Sequence, residues 1–238
     1  DLTTHQPIGT PLTSHTDAVT AVAATTLPDG TPIAITTSFD GTVRLWDLTT
    51  HRPIGTPLTG STSWVEAVAA TTLPDGTPIA ITTNFNGTVR LWDLTTHQPI
   101  GTPLTGHTDA VTAVAATTLP DGTPIAITTS NDGTIRLWDL TTHQPIGTPL
   151  TSHTESVTAI ATTTLPDGTP IAITTSNDNT VHLWDLTTHT CLDVIHLPDS
   201  VSALAVHNQR IICGSGKDIF VFCHSGIRKD GETDDLHR

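Results

Sequence analysis

Residues 106–139 read GHTDAVTAVAATTLPDGTPIAITTSNDGTIRLWD. Residues 110–116 are a small, apolar and β-branched run, the composition of a strand with both faces covered. Leu119, Pro120, Asp121 and Gly122 then supply a turn, because Pro fixes φ at an early turn position and Gly accepts φ > 0. Residues 123–129 form a second strand, with Pro124 near its start, where no ladder donor is lost. Asn131, Asp132, Gly133 and Thr134 signal a tight hairpin, and residues 134–138 follow as a third strand. Beyond it, Thr141, Thr142 and His143 lead into a short fourth strand over residues 144–150.

The stretch belongs to a copy that is written four times, over residues 1–46, 47–92, 93–138 and 139–184. Copies one and three differ only at Ser14 against Gly106, Phe39 against Asn131 and Val43 against Ile135. A period in the forties marks supersecondary units that cannot bury their apolar faces alone and must stack. With four short strands per period and connections too short for a crossover helix, the strands must run antiparallel. The expected fold is all-β, with four-stranded sheets packed face to face around an axis as a β-propeller. The two prolines of each fourth strand suit an outer edge, where they block edge pairing.

Gly106-His107, the Asp132-Gly133-Thr134 turn and Leu137-Trp138-Asp139 resemble the signature of the WD-repeat β-propeller family. The same marks recur at Ser14-His15, Asp40 and Trp46-Asp47, and at Ser152-His153, Asp178 and Trp184-Asp185. Copy two departs from the pattern: Gly60-Ser61 lacks the His and Asn86 replaces the Asp, while Trp92-Asp93 is kept. The resemblance implies a structural tetrad of His, a second-strand hydroxyl, Asp and Trp. Carried onto this chain it comprises His15, Asp40 and Trp46, then His107, Asp132 and Trp138, then His153, Asp178 and Trp184, with Thr128 or Ser130 as the hydroxyl of copy three.

Residues 200–222 are an eroded fifth copy, with Phe222 where the Trp should stand. The blades are therefore expected at about 15–58, 61–104, 107–150, 153–197 and 200–222, the last completed by a strand over residues 6–12. Five such blades would form either a closed five-blade ring or part of a larger one. Residues 223–238 read as a polar C-terminal tail. Near-identical blades also invite self-association, through strand exchange or incomplete ring closure. The chain holds no Met and opens in mid-repeat, which reads as a processed chain or a piece of a longer protein.

The formal charge is −14, with only nine Lys and Arg, so no basic stripe exists to replace phosphate counterions and nucleic-acid binding is disfavoured. Repeat turns account for twelve of the 23 acids. No apolar run reaches the ~18–20 residues of a membrane span. Cys191, Cys213 and Cys223 follow no metal-ligand or disulfide spacing, which suits a reducing, cytoplasmic setting. His5, His51, His97, His143 and His189 recur at one equivalent position and are expected to be solvated turn residues, too far apart to share a metal. Ser130, His107 and Asp132 can be drawn as a catalytic triad. An active site needs one constellation in one cleft, however, and this one recurs in several blades. No cofactor, metal or catalysis is expected.

Binding residues are sought where the copies disagree. In copy two, Trp64 replaces Ala18, Ala110 and Ser156, beside Ser61, Thr62, Ser63 and Glu66. Phe39 and Phe85 replace Asn131 and Asn177 at the turn between the second and third strands, on the same face. Three neighbouring aromatics among only nine in the chain form a candidate anchor for a protein or peptide partner. The alternative is that they only pack on one another. The opposite face would carry an acidic arc of Asp29, Asp75, Asp121 and Asp167. The expected function is a non-catalytic protein–protein interaction scaffold. Two other readings are a sensor region of a longer protein with an upstream catalytic domain, and a multivalent glycan- or small-ligand-binding propeller.

Overall fold

The structure, a computed structural model, describes residues 2–60, 63–207 and 210–223. The first sheet is built from β1 (Val19–Thr26), β2 (Pro32–Ser38), β3 (Val43–Asp47) and β4 (Arg52–Leu58), paired antiparallel in chain order. The second repeats it with β5 (Val65–Thr72), β6 (Pro78–Asn84), β7 (Thr88–Asp93) and β8 (Gln98–Thr105). The third holds β9 (Val111–Thr118), β10 (Pro124–Ser130), β11 (Thr134–Asp139) and β12 (Gln144–Thr151). The fourth holds β13 (Val157–Thr164), β14 (Pro170–Ser176), β15 (Thr180–Asp185) and β16 (Thr190–His196). The fifth has three strands, β17 (Val201–His207), β18 (Arg210–Ser215) and β19 (Asp218–Cys223). Among the described residues no helix is long and apolar enough to cross a membrane.

The first strands adjoin one another in succession, β1 on β5, β5 on β9, β9 on β13 and β13 on β17. The core therefore lies between sheets. Ile33, Ile35, Val43 and Leu45 of the first sheet pack against Val65, Ala80, Trp92 and Leu94 of the second. The second and third sheets repeat this with Ile79, Ile81, Val89 and Leu91 against Val111, Ala126, Trp138 and Leu140. Each such side chain, taken out of water, contributes on the order of 1.5–3 kcal/mol.

Among the described residues no strand pairing joins the fifth sheet to the first. Val111 is fully buried, whereas Val19, at the same place in copy one, is 56% exposed. Leu48 is likewise exposed while its equivalents Leu94, Leu140 and Leu186 are buried. Only the absence of a preceding sheet separates these positions. The expected strand over residues 6–12 is corrected accordingly. The segment forms no strand, and β19 has no fourth strand beside it among the described residues. The tail boundary also shifts, because Cys223 ends β19; residues 224–238 lie outside the described residues.

Each inner strand carries a bulge that serves the stacking. The register skips Thr20 between Val19 and Ala21, Glu66 between Val65 and Ala67, and the equivalent Thr112 and Thr158 in the third and fourth sheets. A bulge re-aims its side chain. The Thr20 hydroxyl donates to the Val65 carbonyl of the next sheet at 2.6 Å, and Thr112 and Thr158 do the same to Val157 at 2.5 Å and Val201 at 2.8 Å.

Of the five turn histidines His5 is exposed as expected, and the other four differ from their expected solvation. His51, His97, His143 and His189 end the link to the fourth strand at φ of 57°, 59°, 59° and 59°, and their side chains are partly covered. Preceding Asp side chains cap the link: Asp47 accepts the Thr49 and Thr50 N–H groups at 2.7 and 3.0 Å. Each imidazole lies over a glycine 42 residues earlier, in the sheet before it for His97, His143 and His189, so that a Cβ on Gly101 would stand 2.7 Å from His143 Nδ1. Gly122 has a similar positive φ with nothing within 4 Å. Gly122→Ala should therefore lose only about 1 kcal/mol of backbone strain, and Gly101→Ala about 2–3 kcal/mol, since the strain is joined by overpacking against the imidazole. Denaturant midpoints of the two variants check this; equal losses would mean that the imidazole yields freely.

Candidate functional site

Antiparallel pairing puts the Pro-Asp-Gly and histidine turns at one end of each of the first four sheets. The turns between second and third strands gather at the other, with the segments that enter each first strand. The aromatic patch and the His and Asp of each tetrad belong to this second end, while Trp46, Trp138 and Trp184 stand near the far ends of their third strands.

Three sheets bring their tetrads together there. In the third sheet His107 Nδ1 is 3.0 Å from Asp132 Oδ2 and Nε2 is 2.9 Å from Thr128 Oγ1, while Trp138 Nε1–H donates to the same hydroxyl at 2.9 Å. His15, Asp40, Thr36 and Trp46 repeat this at 2.9, 2.8 and 2.8 Å, and His153, Asp178, Thr174 and Trp184 at 3.0, 2.9 and 2.9 Å. A neutral imidazole with its proton on Nδ1 satisfies the whole chain: indole N–H to hydroxyl, hydroxyl to Nε2, Nδ1–H to carboxylate. Burial, the largest influence, holds His107 and His153 below the usual imidazole range, against the pull of Asp132 and Asp178. The carboxyls move the other way. Burial pushes Asp132 up, but the Thr134 hydroxyl and the Thr108 and Thr134 N–H groups outweigh it and hold it at about 2. Asp178 is held at about 2 in the same manner by Thr180, Thr154 and His153.

The hydroxyl of copy three is thus Thr128 and not Ser130. Ser130 Oγ donates to the Asp109 carbonyl at 3.2 Å and accepts the Asp132 N–H at 3.1 Å. Thr128 is fully buried and already receives the indole N–H, so the Thr–His–Asp geometry offers no accessible nucleophile. In copy two Trp92 still donates to Thr82 at 2.9 Å, and Asn86 accepts from the Thr88 hydroxyl at 2.7 Å. Ser61, where the His would stand, lies outside the described residues.

Trp64, Phe39 and Phe85 come together at the junction of the first two sheets. Trp64 immediately precedes β5 and its ring lies 5.0 Å from Phe39 and 5.3 Å from Phe85, tilted against both. The Phe85 N–H donates to the Trp64 carbonyl at 3.0 Å, which ties the two turns by backbone. The rings pack on one another and remain open to solvent, Trp64 at 49% and Phe85 at 48% exposure. Phe39 is the more covered of the three. Two residues on, Glu66 takes the bulge position that Thr holds elsewhere, and burial raises its carboxyl above the ordinary range. That bulge was not legible in the sequence; the signal available was a carboxylate replacing a hydroxyl in an otherwise invariant run.

Three residues of the opposite face's acidic arc illustrate turn chemistry: Asp29, Asp75 and Asp121 each accept the N–H of the Thr two residues on at 2.9 Å, and those N–H groups lower each carboxyl. Among the described residues no three His, Cys, Asp or Glu gather closely enough to hold a metal ion. In the fourth sheet His182 replaces the arginine of the other copies and stacks on His153, ring centroids 3.9 Å apart. Burial first, and then the neighbouring His153, push it down to about 4.

A family model described as WD domain, G-beta repeat matches residues 5–47, 51–93, 97–139 and 143–185, together well over half of the chain. No curated protein matches it.

The depressed groups set a pH dependence. A histidine whose folded value is lowered stays neutral while the unfolded chain takes up a proton, so its contribution is present above about 6.5 and lost as pH falls. Stability should decline from pH 6.5 to 4 through His107, His153 and His182, and further toward pH 2 as Asp132 and Asp178 are protonated. Replacing His182 with arginine, as at Arg44, Arg90 and Arg136, should flatten the upper part of the decline by on the order of 1–2 kcal/mol. Thermal midpoints across this range check it; a His182→Arg curve parallel to the wild type throughout would contradict the assignment.

Proposed function

The chain belongs to the WD40-repeat family, and from that premise we propose that it is a non-catalytic scaffold that holds a protein or peptide partner on the aromatic patch of Trp64, Phe39 and Phe85. The observation that carries this reading is the half-exposed Trp64 seated between two phenylalanines at one junction only. Elsewhere the same turns carry Ala, Ser and Asn. The tetrads and the sheet-to-sheet core are shared by most copies and build the frame. A feature confined to one junction serves something the frame does not require. Clustered aromatics on rigid turns lose little entropy on binding and are the side chains most often found at the centre of protein interfaces. The net charge of −14 adds long-range attraction for partners with a basic flank.

Peptides selected on the wild-type chain from a random displayed library supply the test. Trp64→Ala should weaken their binding by at least 30-fold, the scale of a central interface residue of about 2 kcal/mol, and should leave the thermal midpoint almost unchanged. A variant that loses several kcal/mol of stability while binding the same peptides unaltered would make Trp64 a core residue and remove the proposal.

A further inference from the structure

At the end of the sheets away from the aromatic patch, a groove of about 350 Å³ opens between the first and second sheets. That volume lies within the roughly 300–1,000 Å³ of small binding pockets. Leu27, Ile54 and Leu94 give it an apolar lining, which Pro28, Asp29, Thr95 and His97 complete. Leu94 is fully buried in the junction core, whereas Leu27 and Ile54 pack against that core and stay partly open. Both walls are fixed by backbone. The Leu27 N–H donates to the Thr31 carbonyl and the Gly30 N–H to the Leu27 carbonyl, each at 2.9 Å. Across the groove the His97 N–H donates to the Asp93 carbonyl at 2.9 Å, and the imidazole lies over Gly55. Turn chemistry accounts for the Asp29 carboxylate, but it requires no apolar hollow beside it.

The charge around the groove has one sign. Each of the first four sheets brings two aspartates to this end, one in the Pro-Asp-Gly turn and one at the end of the third strand. The Thr31 N–H and hydroxyl hold Asp29 below the ordinary carboxyl range, and those of Thr50 do the same for Asp47. At Asp93 burial pushes the carboxyl up, but the Thr96 and Thr95 N–H groups outweigh it. These carboxylates are therefore ionised at neutral pH. Of the Lys and Arg in the same four sheets, Arg44, Arg90 and Arg136 lie toward the opposite end of their strands. Arg52 is the remaining one.

We propose that the groove binds a basic peptide segment, seating one apolar side chain on Leu27, Ile54 and Leu94 while the flanking lysines or arginines meet the surrounding aspartates. The hollow takes the apolar group, and the one-signed rim selects its neighbours. The lining recurs along the same end. At the second junction Leu73 and Ile100 pack with Leu140, and at the third Leu119 and Ile146 pack with Leu186. Asp75 and Asp121 stand there in the place of Asp29. Three junctions thus present the same site in series, and a longer basic segment engages more than one of them. This surface is independent of the Trp64 patch.

Labelled synthetic hexapeptides, each with one leucine at a varied place among lysines and arginines, test this by fluorescence anisotropy. They should bind at low salt, bind less as salt rises, and fail to bind when the leucine is replaced by serine. Asp29→Asn, combined with Asp75→Asn and Asp121→Asn, keeps the side-chain oxygen each turn uses and removes its charge; it should weaken binding about two- to fivefold. Thr95→Trp, combined with Thr141→Trp and Thr187→Trp, fills the grooves from exposed positions. It should abolish binding and leave the thermal midpoint unchanged. Trp64→Ala should bind the hexapeptides as the wild type does, so this site and the aromatic patch fail or stand separately. The proposal is overturned if none of the hexapeptides binds, if the Thr95→Trp combination binds them as the wild type does, or if Trp64→Ala removes their binding.

Discussion

Each sheet of this protein is apolar on both faces, and the only dry surface available to it is another sheet. Everything else follows from that constraint. The isoleucines of a second strand find the valine, alanine and tryptophan of the next copy, and each junction becomes a small core of its own. Stability is then close to a sum of sheets and junctions, with no single centre. The same constraint shows at β1, where a valine buried in every later copy is exposed, no earlier sheet being present among the described residues.

Polar groups do a different job. The indole, threonine, imidazole and carboxylate of each tetrad satisfy one another in sequence. The turn between second and third strands and the entry to the first are thereby fixed to the sheet that carries them. A threonine on the inner-strand bulge of the first, third and fourth sheets then hands a hydroxyl across to the next sheet. Copy two departs from both devices, with Asn86 for the aspartate and Glu66 for the bulge threonine, and it is the copy that presents Trp64. The frame is interrupted where the surface becomes distinctive.

Much of this was legible in the sequence because it is local and repeated. The 46-residue period, the Pro-Asp-Gly and Asp-Gly turns and the spacing from His107 to Asp132 and Trp138 give strand order and tetrad membership without reference to any distant contact. The choice between Thr128 and Ser130 was not legible, since both lie on one strand face and only the depth of the imidazole decides between them. His51, His97, His143 and His189 were misjudged as solvated because the glycine each one covers lies 42 residues earlier in the chain. Residues 6–12 were read as a paired strand because their sequence is that of one. Pairing needs an edge as well as a strand, and among the described residues no strand is paired with residues 7–12.

The most direct measurement compares Val111→Ala with Val19→Ala by equilibrium denaturation. The two residues share the same local sequence and strand position and differ only in whether a sheet precedes them. If the core lies between sheets, Val111→Ala should lose on the order of 1–3 kcal/mol through lost burial and the cavity left behind. Val19→Ala, measured at concentrations where single copies prevail, should then lose less than about 0.5 kcal/mol. Equal losses at the two sites would contradict a core built from one sheet upon the next.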